Sequence, residues 1–305
     1  MALLVIGSVA FDTVRTPYGS AREVLGGSAT YCGVAASYFT PVRMIAVVGE
    51  DFGPEAMGPL RERGIDVSGI EVRRGGRTFR WSGEYSEDLN SRKTLNTELN
   101  VFQDFRPKIA PGDVGARFLF LGNIDPDLQQ RALQQVKPGF VACDTMNFWI
   151  EGKNTSLKRL LAGVHGLVIN DSEVRLLAGE INTVVAARRL LSLGLGFLVV
   201  KRGEYGAALF SGGHYFAVPA YPVERPVDPT GAGDSFAGGF MGHLARRGEV
   251  SGTALREAMI YGSVMASFCV EDFSLNHLRG LSMESIEGRA GELRDFLRVE
   301  GPANR

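Results

Sequence analysis

The sequence predicts an α/β fold: a doubly wound, mainly parallel sheet flanked by helices. Three observations carry this. Short β-branched or leucine-rich runs alternate with segments of helical period from Leu3 to Val200, the order expected of a parallel sheet covered on both faces. The chain has 305 residues, of which 45% are apolar, ample for the core of one large α/β unit. After Asp234 the strand-like runs stop and only helical segments follow.

The elements follow in order. Leu3 to Ile6 reads as the first strand, inside an apolar start, Met1 to Phe11, that Gly7 and Asp12 interrupt and no basic leader precedes, so a secretory signal is not expected. Further strands are expected at Met44 to Val48, Phe118 to Leu121, Phe140 to Ala142, Leu167 to Ile169 and Phe197 to Val200. Helices are expected between them at Ala29 to Tyr38, Glu55 to Arg63, Pro126 to Gln135, Ser156 to Ala162 and Thr183 to Leu193. The C-terminal helices are Ser235 to Arg246, Ala254 to Phe268 and Met283 to Leu297. Two polar segments, Thr13 to Leu25 and Val72 to Asn100, break the rhythm, and Thr78 to Ser82 and Ser91 to Leu95 alternate at period two. They read as strands outside the main sheet, a small β-lid over the C-terminal ends of the parallel strands, where open α/β sheets bind ligands.

Composition narrows the function. A formal net charge of -1 and a pI near 6.5 supply no electrostatic footprint for nucleic acid or anionic lipid. No apolar run reaches the roughly 20 residues needed to span a bilayer. Cys32, Cys143 and Cys269 are isolated, so buried reduced thiols in a cytoplasmic protein are expected rather than disulfides or zinc. The four histidines lack ligand spacing.

The segment richest in chemistry is Asp228-Pro229-Thr230-Gly231-Ala232-Gly233-Asp234, immediately before a helical run. Gly231, Ala232 and Gly233 let the backbone approach a ligand closely, and the unpaired N–H groups of a helix's first turn point toward an anion. The dipole at that terminus favours the carboxylate of Asp234, which can take a proton from a hydroxyl attacking phosphorus. Anion hole and base stand together, as phosphoryl transfer requires.

This segment resembles the signature of the ribokinase-like (PfkB) carbohydrate kinase family, and further landmarks recur in the family's order over nearly the whole chain. The resemblance implies one kinase unit over residues 1–305, its lid built from about 13–25 and 72–100. It implies ATP and Mg2+ as cofactors, with a monovalent cation as a further candidate, and a sugar or nucleoside as acceptor. Asp12, beyond the first strand, matches the Asp that holds the sugar, and Gly26-Gly27 matches the glycine pair beside it. The family's Asn after that pair is Tyr31 here. Asn170 and Glu173 match the Asn-x-x-Glu that organises magnesium through water, and their spacing also suits a helix cap. Lys201, Gly203 and Gly206 match the phosphate-contact loop, with Lys201 in place of Thr. Thr230 belongs with the nucleotide contacts, and Ala266 to Ser274, including Ser267, matches the border of adenine.

Asn123 and Asn147 project from strand ends toward the same cleft and are second-tier acceptor contacts, with turn roles open to them. On the period-two run, Phe79 and Trp81 fall on one face, where a lid-to-lid homodimer would bury them. Thr78, Arg80 and Ser82 fall on the other, so Arg80 is expected near the acceptor. A dinucleotide oxidoreductase is excluded because no Gly-x-Gly-x-x-Gly follows a strand, and a P-loop enzyme because no Gly-x-x-x-x-Gly-Lys-Ser/Thr occurs. A catalytically silent sugar- or nucleoside-binding regulator on the same fold is the alternative. Hexose, pentose, polyol and nucleoside all stay open as acceptors.

Overall fold

Four consecutive apolar residues in an extended chain point to opposite sides in turn, so β1 (Leu3–Ile6) must be covered on both faces. Leu3 and Val5 pack with Ala29, Phe236, Phe240 and Met265 in one core. Leu4 and Ile6 pack with Leu160, Val174 and Ala186 in a second. In the computed structural model, which describes residues 3–298, these two cores are the layers between the sheet and its helices.

In chain order the remaining strands are β2 (Ala10–Thr16), β3 (Gly19–Gly26), β4 (Val42–Gly49), β5 (Asp66–Arg73), β6 (Phe79–Tyr85), β7 (Arg92–Glu98), β8 (Phe118–Leu121), β9 (Phe140–Asp144), β10 (Gly166–Asn170), β11 (Phe197–Lys201), β12 (Ala207–Ser211) and β13 (His214–Val218). The main sheet has nine strands in the order β13-β12-β11-β10-β9-β8-β1-β4-β5. From β11 to β5 every pairing is parallel, while β12 and β13 add antiparallel at one edge. The C-terminal ends of β1, β8, β9, β10 and β11 therefore open on one rim, where the sequence stationed its polar residues.

Three strands of this sheet escape the sequence reading. β5 exposes alternate residues at the edge and carries Asp66, Ser68, Glu71 and Arg73, so it looks like polar loop. It also takes Val72 from the segment assigned to the lid. β12 and β13 form a hairpin whose turn is Gly212-Gly213. Predicted helix ends move by up to three residues; the helix expected from Ser235 starts at Ala232 and runs to Arg247.

The second sheet has the order β3-β2-β6-β7, with β2 and β6 parallel and the outer pairs antiparallel. Chain segments some sixty residues apart thus form one lid, tethered directly to the end of β1. Asp12 lies within this lid, on β2 beside a register shift, and not in a loop beyond β1. Phe79 is not free for a partner: it stacks on Phe102 at 5.5 Å and joins the second core. Trp81 lies over Gly83 and donates to Thr94 Oγ1 at 3.3 Å, so both aromatics are satisfied within the chain.

Candidate active site

The helix Ala232–Arg247 begins where Gly231, at φ 78°, turns the chain into it. That left-handed conformation suits glycine, and a Cβ there would also collide with the ring of Tyr31. Tyr31 is only 1% exposed. It therefore forms the floor beneath the loop. Asp228 Oδ1 accepts from the Thr230 amide at 2.8 Å and holds the loop closed. In the first turn, Asp234 has its carboxyl pushed up to about 7 by burial and by Asp144, with Lys201 and Arg92 opposing. It thus changes charge near neutrality.

Parallel register brings the next groups together. Asn170 of β10 lies opposite Lys201 of β11, and Asp144 ends β9 alongside. Lys201 Nζ donates to Asp144 Oδ2 at 2.9 Å, an ion pair whose side chains are 17% and 5% exposed. A Cβ on Gly233 would stand 2.9 Å from the same ammonium, so Lys201 lies against the anion loop. Burial disfavours its charge, but Asp144, Glu173 and Asp234 outweigh that and keep its pKa above the ordinary value. Asn170 caps the helix Asp171–Ala178: its Oδ1 accepts from Glu173 N at 2.8 Å, while Glu173 Oε2 accepts from Asn170 N at 3.1 Å. Both residues are thereby fixed in a reciprocal cap at the end of β10.

Asp144, Glu173 and Asp234 together outnumber the single buried ammonium. Burial and then Asp144 raise Glu173 to about 7, the mark of an uncompensated negative site. The described residues contain no group of three or more His, Cys, Asp or Glu close enough to ligate an ion directly. Such a site fits magnesium carried on phosphate oxygens and water, with the carboxylates supplying charge at one remove.

At the acceptor end, the glycine pair is explained by contact. A Cβ on Gly26 would overlap the Asp12 carboxylate, and one on Gly27, at φ 97°, would stand 2.5 Å from Ser8 O. Ser8 and Ser28 exchange amide-to-hydroxyl bonds at 3.2 and 3.0 Å, fixing the end of β1 to the helix Ser28–Ala36. Burial, then Asp228 and Asp234, raise Asp12 to about 7, with the Gly27 backbone opposing. Asn123 is half-buried there, its Oδ1 without a partner.

The remaining expected residues have these surroundings. Asn147 begins the short helix Asn147–Gly152 and is exposed. Ser267 is buried, donating to Val264 O at 2.7 Å and accepting from Arg289 at 2.9 Å, so its hydroxyl is used inside the fold. Arg80 is held by Glu23 and Asp51 at 3.0 and 2.8 Å, which ties the lid to the rim after β4. Gly203 lies exposed at φ 55°, and Gly206, at φ 84°, is packed on the backbone of Val218. Sequence reasoning missed Tyr85 and Arg92 of the lid and the pairing of Asp144 with Lys201. Period-two alternation names a strand face but not what the strand covers.

The model of the pfkB family carbohydrate kinases matches residues 2–278. The chain belongs to the pfkB family. A cytidine kinase of Thermococcus kodakarensis is 29% identical over 251 residues, covering 80% of this chain and 88% of that one. The crystal structure of Methanocaldococcus jannaschii nucleoside kinase superposes with a TM-score of 0.78 at 18% identity, covering 96% of this chain and 99% of that one. Burkholderia thailandensis nucleoside kinase, in a structure described as a complex with ADP-inosine, gives a TM-score of 0.78 at 18% identity over 99% of both chains. At these identities the structural likeness is one of fold. No helix among the described residues is long and apolar enough to cross a membrane.

Proposed function

We propose that this protein is an ATP-dependent kinase that moves the γ-phosphoryl group to a hydroxyl, a primary one, of a nucleoside or sugar, with Asp234 as general base. The carrying observation is the placement of Asp234 in the first turn of a glycine-led helix, between the Lys201–Asp144 pair and Asp12, with its pKa near neutrality. A base with a pKa near the working pH combines the correct protonation state with proton-accepting strength.

Asp12 and the Gly27 amide hold acceptor hydroxyls, and Asn123 offers a further acceptor atom. Asp234 takes the proton of the attacking hydroxyl as the new P–O bond forms. The amides at Gly231 to Asp234 face the equatorial oxygens, and Lys201, lying against Gly233, follows the charge that moves toward the leaving diphosphate. Magnesium would supply positive charge on the phosphates, and Glu173 with Asn170 would hold it through water. Thr230, Gly203 and Gly206 line the nucleotide end. Few reactive side chains are needed because positioning and electrostatics do most of the work in phosphoryl transfer. Kinship with the cytidine kinase favours a nucleoside acceptor.

The test is ATP consumption against a panel of nucleosides, pentoses, hexoses and sugar acids, with the product phosphate assigned by phosphorus NMR. One acceptor should give saturable, stoichiometric transfer. Acceptor binding without ATP consumption across the panel would instead favour the silent regulator.

A further inference from the structure

The lid hairpin β6–β7 does more than cover the acceptor end. At its tip, Asn90 Nδ2 donates to Glu204 Oε1 at 3.3 Å, reaching the Gly203–Tyr205 turn that follows β11. Nearer its base, the hydroxyl of Thr230 donates to the phenol of Tyr85 at 3.1 Å, joining the lid to the loop that opens onto Asp234. These two contacts land on the two segments assigned to the phosphates.

Arg92 is the cross-strand partner of Tyr85. Directly opposed residues in a pair project to the same face, so the contact between Tyr85 and Thr230 also fixes the side from which Arg92 acts. Its guanidinium lies 5.6 Å over the ring of Trp81. Unlike Arg80, which Glu23 and Asp51 hold on the neighbouring strand, Arg92 is exposed and pairs with no carboxylate among the described residues. Its charge nevertheless lowers the pKa of Asp12, Asp234 and Glu173, acids at both ends of the cleft. One cation thus faces the space between acceptor and nucleotide.

We propose that Arg92 is a lid-borne clamp on the transferring phosphoryl group, delivered when β6–β7 docks on Thr230 and Glu204. The proposal rests on the kinase reading given above. A planar guanidinium can bind two equatorial oxygens at once, and those oxygens carry the charge of a loose transition state. In the step, the acceptor oxygen bonds to the γ-phosphorus, the bond from that phosphorus to the β–γ bridging oxygen breaks, the hydroxyl proton passes to Asp234, and ADP leaves. Arg92 keeps its protons throughout. Docking the lid and completing the charge are then one event.

The test uses Arg92→Gln and Arg92→Lys in the full chain. The residue is exposed and its contacts are with Tyr85 and Trp81 of the lid alone, so both variants should fold. With the best acceptor, kcat should fall about 100-fold in Arg92→Gln and about 10-fold in Arg92→Lys, and KM for the acceptor should stay within about threefold. Calorimetry supplies a readout apart from turnover. ADP alone should bind Arg92→Gln as it binds the parent, while ADP with aluminium fluoride and acceptor should bind about 100-fold more weakly. The acid limb of kcat/KM should also move to higher pH, because Asp234 loses Arg92 while still facing Asp144, Glu173 and Lys201. An active parent whose Arg92→Gln form keeps its kcat, or loses ADP and analogue affinity equally, overturns this proposal alone. A parent that transfers phosphate to nothing in the panel overturns the kinase reading and this proposal with it.

Discussion

Replacing Lys201 with Met tests the buried charge network, because it removes the ammonium while keeping the volume of the stem. The parent pair is 2.9 Å apart with Asp144 3% exposed. At an effective dielectric of about 20 the Coulomb attraction at that distance is about 6 kcal/mol, part of which offsets desolvation. Removing one partner of a buried pair typically costs about 3–5 kcal/mol, because the remaining charge is left without compensation. Asp144 is already raised by burial, with Lys201 holding it down, so its pKa must climb further in the variant. A carboxyl with a raised folded-state pKa costs stability that is full above that pKa, shrinks as pH falls below it and vanishes only near its unfolded value, so the loss should be larger at pH 8 than at pH 5. Urea unfolding at both pH values measures this. The double variant Lys201→Met with Asp144→Asn should recover most of the stability at pH 8 but not the transfer rate, because the ammonium at Gly233 is still missing. A deficit below about 1 kcal/mol at pH 8, an equal deficit at both pH values, or a double variant no more stable than the single would refute the reasoning.

Asp12→Asn should raise KM for the acceptor, with about 1.5–3 kcal/mol lost per charge-assisted bond, and leave calorimetric affinity for ADP unchanged; a fall in ADP affinity alone would reverse the two ends of the cleft. Since burial raises the Asp12 pKa from 3.8 to about 7, this carboxyl costs the ligand-free fold stability that grows as pH rises from about 4 to 7 and is full above. The Asn variant should therefore resist urea better by about 4 kcal/mol at pH 8 and by nothing below pH 4. Because Asp234 must be deprotonated to act and its pKa is raised to about 7, kcat/KM should fall tenfold per unit below about pH 7 and level off above it. A profile flat from pH 5 to 8 would remove this carboxylate as base.

Much of this architecture is legible in the chain because the parallel strands are apolar on both faces. Leu3 to Ile6 and Phe118 to Leu121 are too short for helices and too greasy for loops. The edges are not legible in the same way: β5 is half in water and its composition is that of a loop. In the site, Asp234, Gly231 and the Asn170–Glu173 pair could be placed because their spacing in sequence fixes their geometry at a helix start. Asp144 with Lys201 depends on the register of β9, β10 and β11, and Arg92 on the docking of a hairpin. These are long-range facts with no local sign. Tyr31 shows the opposite limit: its position was clear, but only packing reveals that its ring lies beneath Gly231.

The central claim is that Asp234 accepts the proton of the attacking hydroxyl. Asp234→Asn keeps the shape and the helix start but cannot take that proton, and single-turnover transfer with the best acceptor measures the consequence directly. The account predicts a rate about 100- to 10,000-fold below the parent, with acceptor and ADP affinities retained. A rate within threefold of the parent would contradict it.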